Sequence, residues 1–264
     1  MAQEMNLHTR VLELPFVAQF FIFAASFMIL SVAASIIFRK FKNGNDNEVI
    51  VLVLGVFGAL YGALLAFVIV IAWQDLQATK GHVAAEAASV AAVVRDANFF
   101  PKQVQDGISA AVNEYLHSTV DVDWKEMRVR HTPAVSSAAV NKLYAVMDGY
   151  VPQGKKESAA FKQMLADLGN LTGNRMARVG DSRREVPTLL QFLIFGGAIC
   201  ILLLASAYRA ENFFDSALLL TLLSLLLAGS SVLVLGLNHP FSGAISVSPE
   251  PFFRGILSQY WTGR

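Results

Sequence analysis

The chain has 264 residues, a formal net charge of +1, and a composition 55% hydrophobic against 16% charged. The near-neutral balance gives no electrostatic footprint for nucleic acid, and the long apolar runs exclude an ordinary soluble domain. The single cysteine, Cys200, excludes an intrachain disulfide, and no Cys/His spacing suits a metal, so no cofactor is expected.

Met1 to Leu12 is a short polar lead. Glu13 interrupts its positive start, and Leu14 to Phe38 is long for a signal core, so the segment reads as a retained anchor. Ala33-Ala34-Ser35 resembles a cleavage site, the one feature favouring a signal peptide. Pro15 suits the first turn of a helix. Phe16 to Phe38 then forms the first membrane helix, closed by Arg39, Lys40 and Lys42. Asn43 to Asn47 is a polar turn.

Val49 to Trp73 carries no charge over 25 residues, enough to cross a bilayer core of about 30 Å. No proline lies between Val49 and Pro101, and Gly81 costs roughly 1 kcal/mol without breaking a helix. The pattern predicts one rod from Val49 to Asn98, about 75 Å long at about 1.5 Å per residue. Gly55, Gly58, Gly62 and Ala66 form a small-residue strip suited to close helix approach. Phe57, Tyr61, Leu64, Val68, Ile71 and Asp75 lie along another face. Repeated around an axis, that face would line an apolar pore with Asp75 at its mouth. The alternative is that both faces pack within the chain.

The polar stretch 74–186 shows no strand alternation and reads as a helical domain. Leu76, Val83, Ala87, Val90 and Val94 mark an apolar stripe on the rod. Further helices are expected over Lys102 to Val120, from Thr132-Pro133 to Gly149, and over Glu157 to Val179. Asp123 is a candidate cap for a continuation through Trp124 and Met127. In the last of these helices Phe161, Met164, Leu165, Leu168, Leu171 and Met176 are expected to face inward. Pro187 opens a third membrane helix to Tyr208. Arg209, Glu211 and Asn212 form a turn, and Phe213 to Leu237 is the fourth span. The tail from Asn238 ends in a stretch that reads as an amphipathic helix.

The fold class is therefore an all-α integral membrane protein with four transmembrane helices. A cytoplasmic helical domain lies between helices 2 and 3, and the second helix continues into it. The expected divisions are a hairpin over 14–73, the helical domain over 74–186, a second hairpin over 187–237 and a tail over 238–264. Four spans place both termini and the soluble domain on one side. Eight Lys/Arg near the membrane lie there: Arg10, Lys80, Arg175, Arg178, Arg183, Arg184, Arg254 and Arg264. Four lie opposite: Arg39, Lys40, Lys42 and Arg209. The positive-inside rule then makes the domain side cytoplasmic, in a bacterial inner membrane.

Asp75 and Glu86 are eleven residues apart and share a face of the rod. They would form acidic rings in an oligomer, with Glu86 at the pore mouth, or they are ordinary solvated charges. His82 and Glu86 have helical pair spacing, but two ligands are too few for a metal. Arg175, Arg178, Arg183 and Arg184 suit lipid headgroups or anions, or serve as a positive-inside anchor. Tyr115 and Trp124 read as core. The histidines stand in no catalytic constellation, so an enzyme is not expected.

The tail Pro240-Phe241-Ser242-Gly243, a structural turn, and Val247-Ser248-Pro249 are the most distinctive stretch. With Ala66-Phe67, Trp73, Glu86, Tyr115, Trp124, Met127 and the arginine cluster, the chain resembles the bacterial bestrophin-like family of four-span membrane proteins of unassigned function. Two positions depart from that pattern. Asn238 replaces an acidic residue before the turn, and Asp123 replaces a glutamate before the tryptophan. The resemblance implies similarity to bestrophins, pentameric chloride channels that line a hydrophobic neck with the second helix. It implies no calcium gating, because the acidic clasp of animal bestrophins has no copy here.

The leading expectation is a homo-oligomeric ion channel, anion-conducting, whose partners are the bilayer, further copies of itself and inorganic ions. One alternative is a non-conducting scaffold or sensor with a cytoplasmic partner. The other is a cation channel with acidic rings at Asp75 and Glu86.

Overall fold

A computed structural model describes residues 14–41, 47–129, 131–133, 135–184, 186–208, 212–243 and 245–262. The polar lead, most of the Asn43 to Asn47 turn, the Arg209 to Glu211 stretch, and the charges Arg10, Lys42 and Arg264 lie outside the described residues. Every regular element among the described residues is helical. The α-helices are α1 (Phe16–Phe41), α2 (Asn47–Asp96), α3 (Lys102–His117), α4 (Trp124–Arg128), α5 (Val135–Asp148), α6 (Gly154–Asp181), α7 (Thr188–Ala207) and α8 (Phe213–Leu237). Four of them, α1, α2, α7 and α8, hold stretches long and apolar enough to cross a membrane.

Local sequence explains most of the boundaries. α2 runs through Gly81 without a break, because one glycine costs less than the turn-to-turn bonding on either side preserves. It tightens into a 3-10 turn at Ala97–Phe99 before Pro101. α6 starts at Gly154, whose φ of +86° only glycine adopts without strain. Pro187 caps α7, where its missing N–H would have had no partner. Elsewhere the expectations need correction. Thr132 and Pro133 stay outside the helix, which begins at Val135. Asp123 makes no side-chain cap at the start of α4; its carboxylate instead accepts the Ser136 N–H, in the first turn of α5, at 3.4 Å. The tail forms two 3-10 segments, Glu250–Phe253 and Gly255–Trp261, in place of an amphipathic α-helix.

The chain divides into two compact units. The first holds α1, α2 as far as Asp75, α7 and α8. α1 packs on α7 and α8. Its core gathers Phe27, Tyr61, Ala198, Leu202, Leu227 and Ala228, and a second cluster joins Val68, Ile194 and Val234. Tyr61 donates its hydroxyl to the Ile194 carbonyl at 3.1 Å. A Cβ at Gly197 would stand 2.6 Å from the Tyr61 ring, so glycine alone lets α2 and α7 approach there. Leu60, Phe67, Phe192, Phe214 and Leu226 point outward. That much uncovered hydrocarbon is at home in lipid.

The second unit holds α2 from Leu76, then α3 to α6 and most of the tail. Leu76, Val83, Ala87, Val90 and Val94 are all buried, as are Ile108, Val112 and Tyr115 of α3. On α6, Met164, Leu168 and Leu171 face inward, but Leu165 and Met176 are exposed. Both lie off the stripe that Met164, Leu168, Leu171 and Arg175 define at helical spacing.

Candidate functional site: a buried charge cluster and an uncovered helix face

The centre of the second unit is ionic. Arg178 of α6 donates Nε to Glu86 Oε2 at 2.6 Å and Nη2 to Glu86 Oε1 at 3.1 Å. The same Nη2 lies 3.3 Å from Asp123 Oδ2. All three side chains are fully buried. Tyr115 of α3 donates its hydroxyl to Glu86 at 2.5 Å. Ser136 donates its hydroxyl to Asp123, and Arg175 bonds Ser136 Oγ at 2.5 Å and the Pro133 carbonyl at 3.4 Å. Two carboxylates face two guanidiniums, so the formal charges cancel.

The backbone between α3 and α4 makes this arrangement possible. Ser118–Asp123 form a π turn, in which the Trp124 N–H reaches back five residues to the Thr119 carbonyl. The extra residue per turn rotates Asp123 and Trp124 inward together. Trp124 then becomes the seat of the tail. Phe241 and Phe252 meet its ring edge-on at 5.4 Å and 6.0 Å, and its Nε1 donates to the Val247 carbonyl at 3.4 Å. The Arg178 guanidinium lies over the same ring at 5.4 Å. Val247 N–H bonds the Pro240 carbonyl at 2.7 Å, which closes the turn, and Gly243 takes a φ of +79°.

Burial and the Glu86 carboxylate hold the Tyr115 phenol well above its usual range. Burial pulls the Arg178 guanidinium down, but Glu86 and Asp123 outweigh it and hold it above its ordinary range. Nothing in this cluster is open to a soluble ion. A buried ion pair of this kind is a device of specificity more than of net stability, since desolvation offsets most of the attraction.

The family model for the Bestrophin-like domain matches residues 20–252. The chain belongs to the Bestrophin-like domain family. No curated protein and no solved structure matches it. In this bestrophin-like chain, the residues carrying the resemblance converge from distant parts of the sequence. Glu86, Tyr115, Trp124, Met127, Arg178, Phe241 and Val247 meet in one cluster, with Met127 Sδ 3.3 Å from Arg178 Nη1. The two departures are accommodated differently. Asp123 keeps both its ionic and its hydroxyl partner. Asn238 accepts the Val186 N–H at 2.6 Å, a bond a neutral amide makes as well as an acid.

The candidate site residues separate on this frame. Glu86 is not a pore-mouth charge, because it is enclosed and neutralised by Arg178. Arg175 and Arg178 are likewise core residues, not lipid or anion contacts. Arg183 and Arg184 are exposed, and Arg184 lies 3.9 Å from Asp181. His82 bonds Asp181 at 2.6 Å and does not pair with Glu86. Phe241 is buried against Trp124, while Ser242 and Gly243 complete the turn.

The stripe expected to line a pore divides. Tyr61 and Val68 pack against helices of their own chain, Leu64 and Asp75 are half-buried, and Phe57 and Ile71 sit at the margin. The uncovered side of α2 within the first unit is wide: of the expected small strip Gly55, Gly62 and Ala66 are exposed and Gly58 is half-buried, and Leu52, Val56, Leu60 and Phe67 are exposed as well. Beyond the adjacent backbone of α2 itself, no atom comes within 4 Å of a Cβ built at Gly55 or Gly62. Ser136 carried no signal in the sequence, since a single hydroxyl residue in a helical stretch looks the same whatever faces it.

Proposed function

We propose that the chain is one subunit of a homo-oligomeric ion channel, with α2 of each copy arranged around a common axis. The observation that carries this reading is a strip of small residues on the uncovered side of α2: Gly55, Ala59, Gly62, Ala63 and Ala66. Lipid alone does not require such a strip, whereas close packing of helices does. Membership of the Bestrophin-like domain family supports the same reading. In the assembly the small face meets the neighbouring copies, and Phe57, Leu64 and Ile71, which lie on another face of α2, narrow the path, with Asp75 at the end of the apolar stretch. The cargo is an anion and the assembly a pentamer, both by likeness to bestrophins. The protein sits in a bacterial cytoplasmic membrane, with the second unit and both termini in the cytoplasm.

The cation alternative weakens with Glu86 neutralised, since only Asp75 is left to form a ring. A non-conducting scaffold is supported by one further observation. Exposed Gly81, Ala84 and Ala88 of α2, and exposed Gly169 and Gly173 of α6, leave small uncharged faces on helices of the second unit. Such faces suit a docked helix.

Ion flux from liposomes carrying the full chain decides between these readings. We expect chloride flux exceeding potassium flux, reduced by Ala66→Trp. Absence of flux for both ions from inserted, oligomeric protein leaves the scaffold.

A further inference from the structure

Within the first unit, the last turns of α1 and α7 meet the first turns of α2 and α8. Two clefts open there, of about 330 Å³ and about 290 Å³. The first is walled by Phe38, Leu54 and Leu223, the second by Met28, Val32 and Ala217. Both are hydrocarbon-lined, and they share one polar corner, made of Ser35, Arg39 and Ser216.

The hydroxyls at this corner are not equivalent. Ser35 Oγ donates to the Ser31 carbonyl at 2.8 Å, and Ser206 Oγ to the Leu202 carbonyl at 2.6 Å. Ser216 Oγ is buried and, among the described residues, has no hydrogen-bond partner. Ser224 and Ser231 share that condition, but neither lines these clefts. Buried hydroxyls are ordinarily satisfied, so an orphan at the mouth of an apolar recess points to an acceptor supplied from outside.

We propose that this recess binds one anionic diacyl phospholipid. Each cleft takes one acyl chain, and the phosphate sits at the shared corner between Arg39 and the Ser216 hydroxyl. Arg39 and Lys40 end α1, and Tyr208 follows α7, the residue types that mark the bilayer–water boundary. That places the corner at headgroup level and the clefts at acyl level. A guanidinium offers a phosphate two parallel donors, which a zwitterionic surface alone does not select for. Two clefts that share one charged corner match two chains that leave one headgroup. The site is independent of whether the protein conducts.

The test uses the full chain, purified in mild detergent and stripped of lipid. Phosphatidylglycerol, phosphatidylcholine, lysophosphatidylglycerol and glycerol phosphate are added separately, and binding is read by native mass spectrometry and thermal unfolding. We expect one phosphatidylglycerol retained per chain, with phosphatidylcholine and the single-chain lipid retained less and glycerol phosphate giving no shift. Arg39→Gln lowers occupancy by phosphatidylglycerol about fivefold, toward that of phosphatidylcholine. Leu220→Trp, which fills the wall common to both clefts, abolishes retention of either diacyl lipid. Equal retention of the two diacyl lipids, with Arg39→Gln unchanged, overturns the proposal in favour of general lipid solvation. Protection by glycerol phosphate equal to that by the lipid overturns it in favour of a soluble phosphate. Should Leu220→Trp not fold, Arg39→Gln decides alone.

Discussion

Arg178 grips Glu86 through two parallel hydrogen bonds, at 2.6 Å and 3.1 Å, with neither side chain reaching solvent. The two residues are 92 positions apart, and the pair ties α2 to α6 inside the second unit. Removing one partner strands the other as a buried charge. Arg178→Ala or Glu86→Ala is therefore expected to cost about 3–5 kcal/mol, read as a fall in the unfolding temperature of the detergent-solubilised chain. Arg178→Lys should rescue little, since an ammonium cannot make the planar fork. A variant with both residues made apolar should be more stable than either single variant. If it is not, the pair does not act as a unit.

The phenol of Tyr115 gives the cluster a pH signature. Its folded-state pKa is raised, by burial first and then by Glu86, so the folded chain keeps a proton that the unfolded chain releases. The associated stability is complete below the unfolded tyrosine range near pH ~10 and is lost as pH rises beyond it. Unfolding temperature should therefore fall steeply in strong alkali. Tyr115→Phe should flatten that fall; an identical slope in wild type and variant would refute the assignment.

Trp124 holds the tail through Phe241, Phe252 and the Val247 carbonyl. Trp124→Ala should cost about 3–5 kcal/mol by cavity formation. It should also release the chain after Pro240, seen as new protease cleavage between Ser242 and Glu250 in the full-length protein. Trp124→Phe retains the ring contacts but loses the donor, and should cost about 1 kcal/mol without exposing the tail.

Gly197 and Tyr61 form a matched pair in the first unit. Gly197→Ala places a methyl 2.6 Å from the ring and should destabilise by about 1–3 kcal/mol. Truncation of the ring in Tyr61→Ala should make the alanine harmless, so the double variant should show strong non-additivity in a thermal-unfolding cycle. Strict additivity would mean that the contact is absent in the bilayer-extracted protein.

The uncovered α2 face predicts a different kind of phenotype. Gly62→Leu adds bulk where nothing beyond the adjacent backbone of α2 lies within 4 Å of the new Cβ. The subunit should keep its helix content while its oligomer, measured by mass in detergent, weakens or changes size. Unchanged mass and unchanged flux would remove this face from the assembly.

Much of the architecture lay open in the sequence because its causes are local. An uncharged run of 25 residues can only be satisfied in lipid by a helix, and the absence of proline to Pro101 lets that helix continue. The stripe Leu76, Val83, Ala87, Val90 and Val94 already marked the buried face of the rod. Pro187 marked the start of α7 by chemistry that acts within one turn. What the sequence could not show was the destination of charge. Glu86 on a helix in an alanine-rich stretch looks the same whether water or Arg178 faces it, because the partner lies 92 residues away. Asp123 looked like a cap until a π turn swung it toward Ser136 and Arg178. Tyr61 lay on one helical face with Phe57 and Asp75, and only the glycine opposite, Gly197, gives its ring a place in the bundle while Phe57 stays exposed. Hydropathy and periodicity are properties of neighbours in the chain and determined the helices. Burial and pairing are properties of neighbours in space, and only the tertiary structure decided which charges and which helix faces meet.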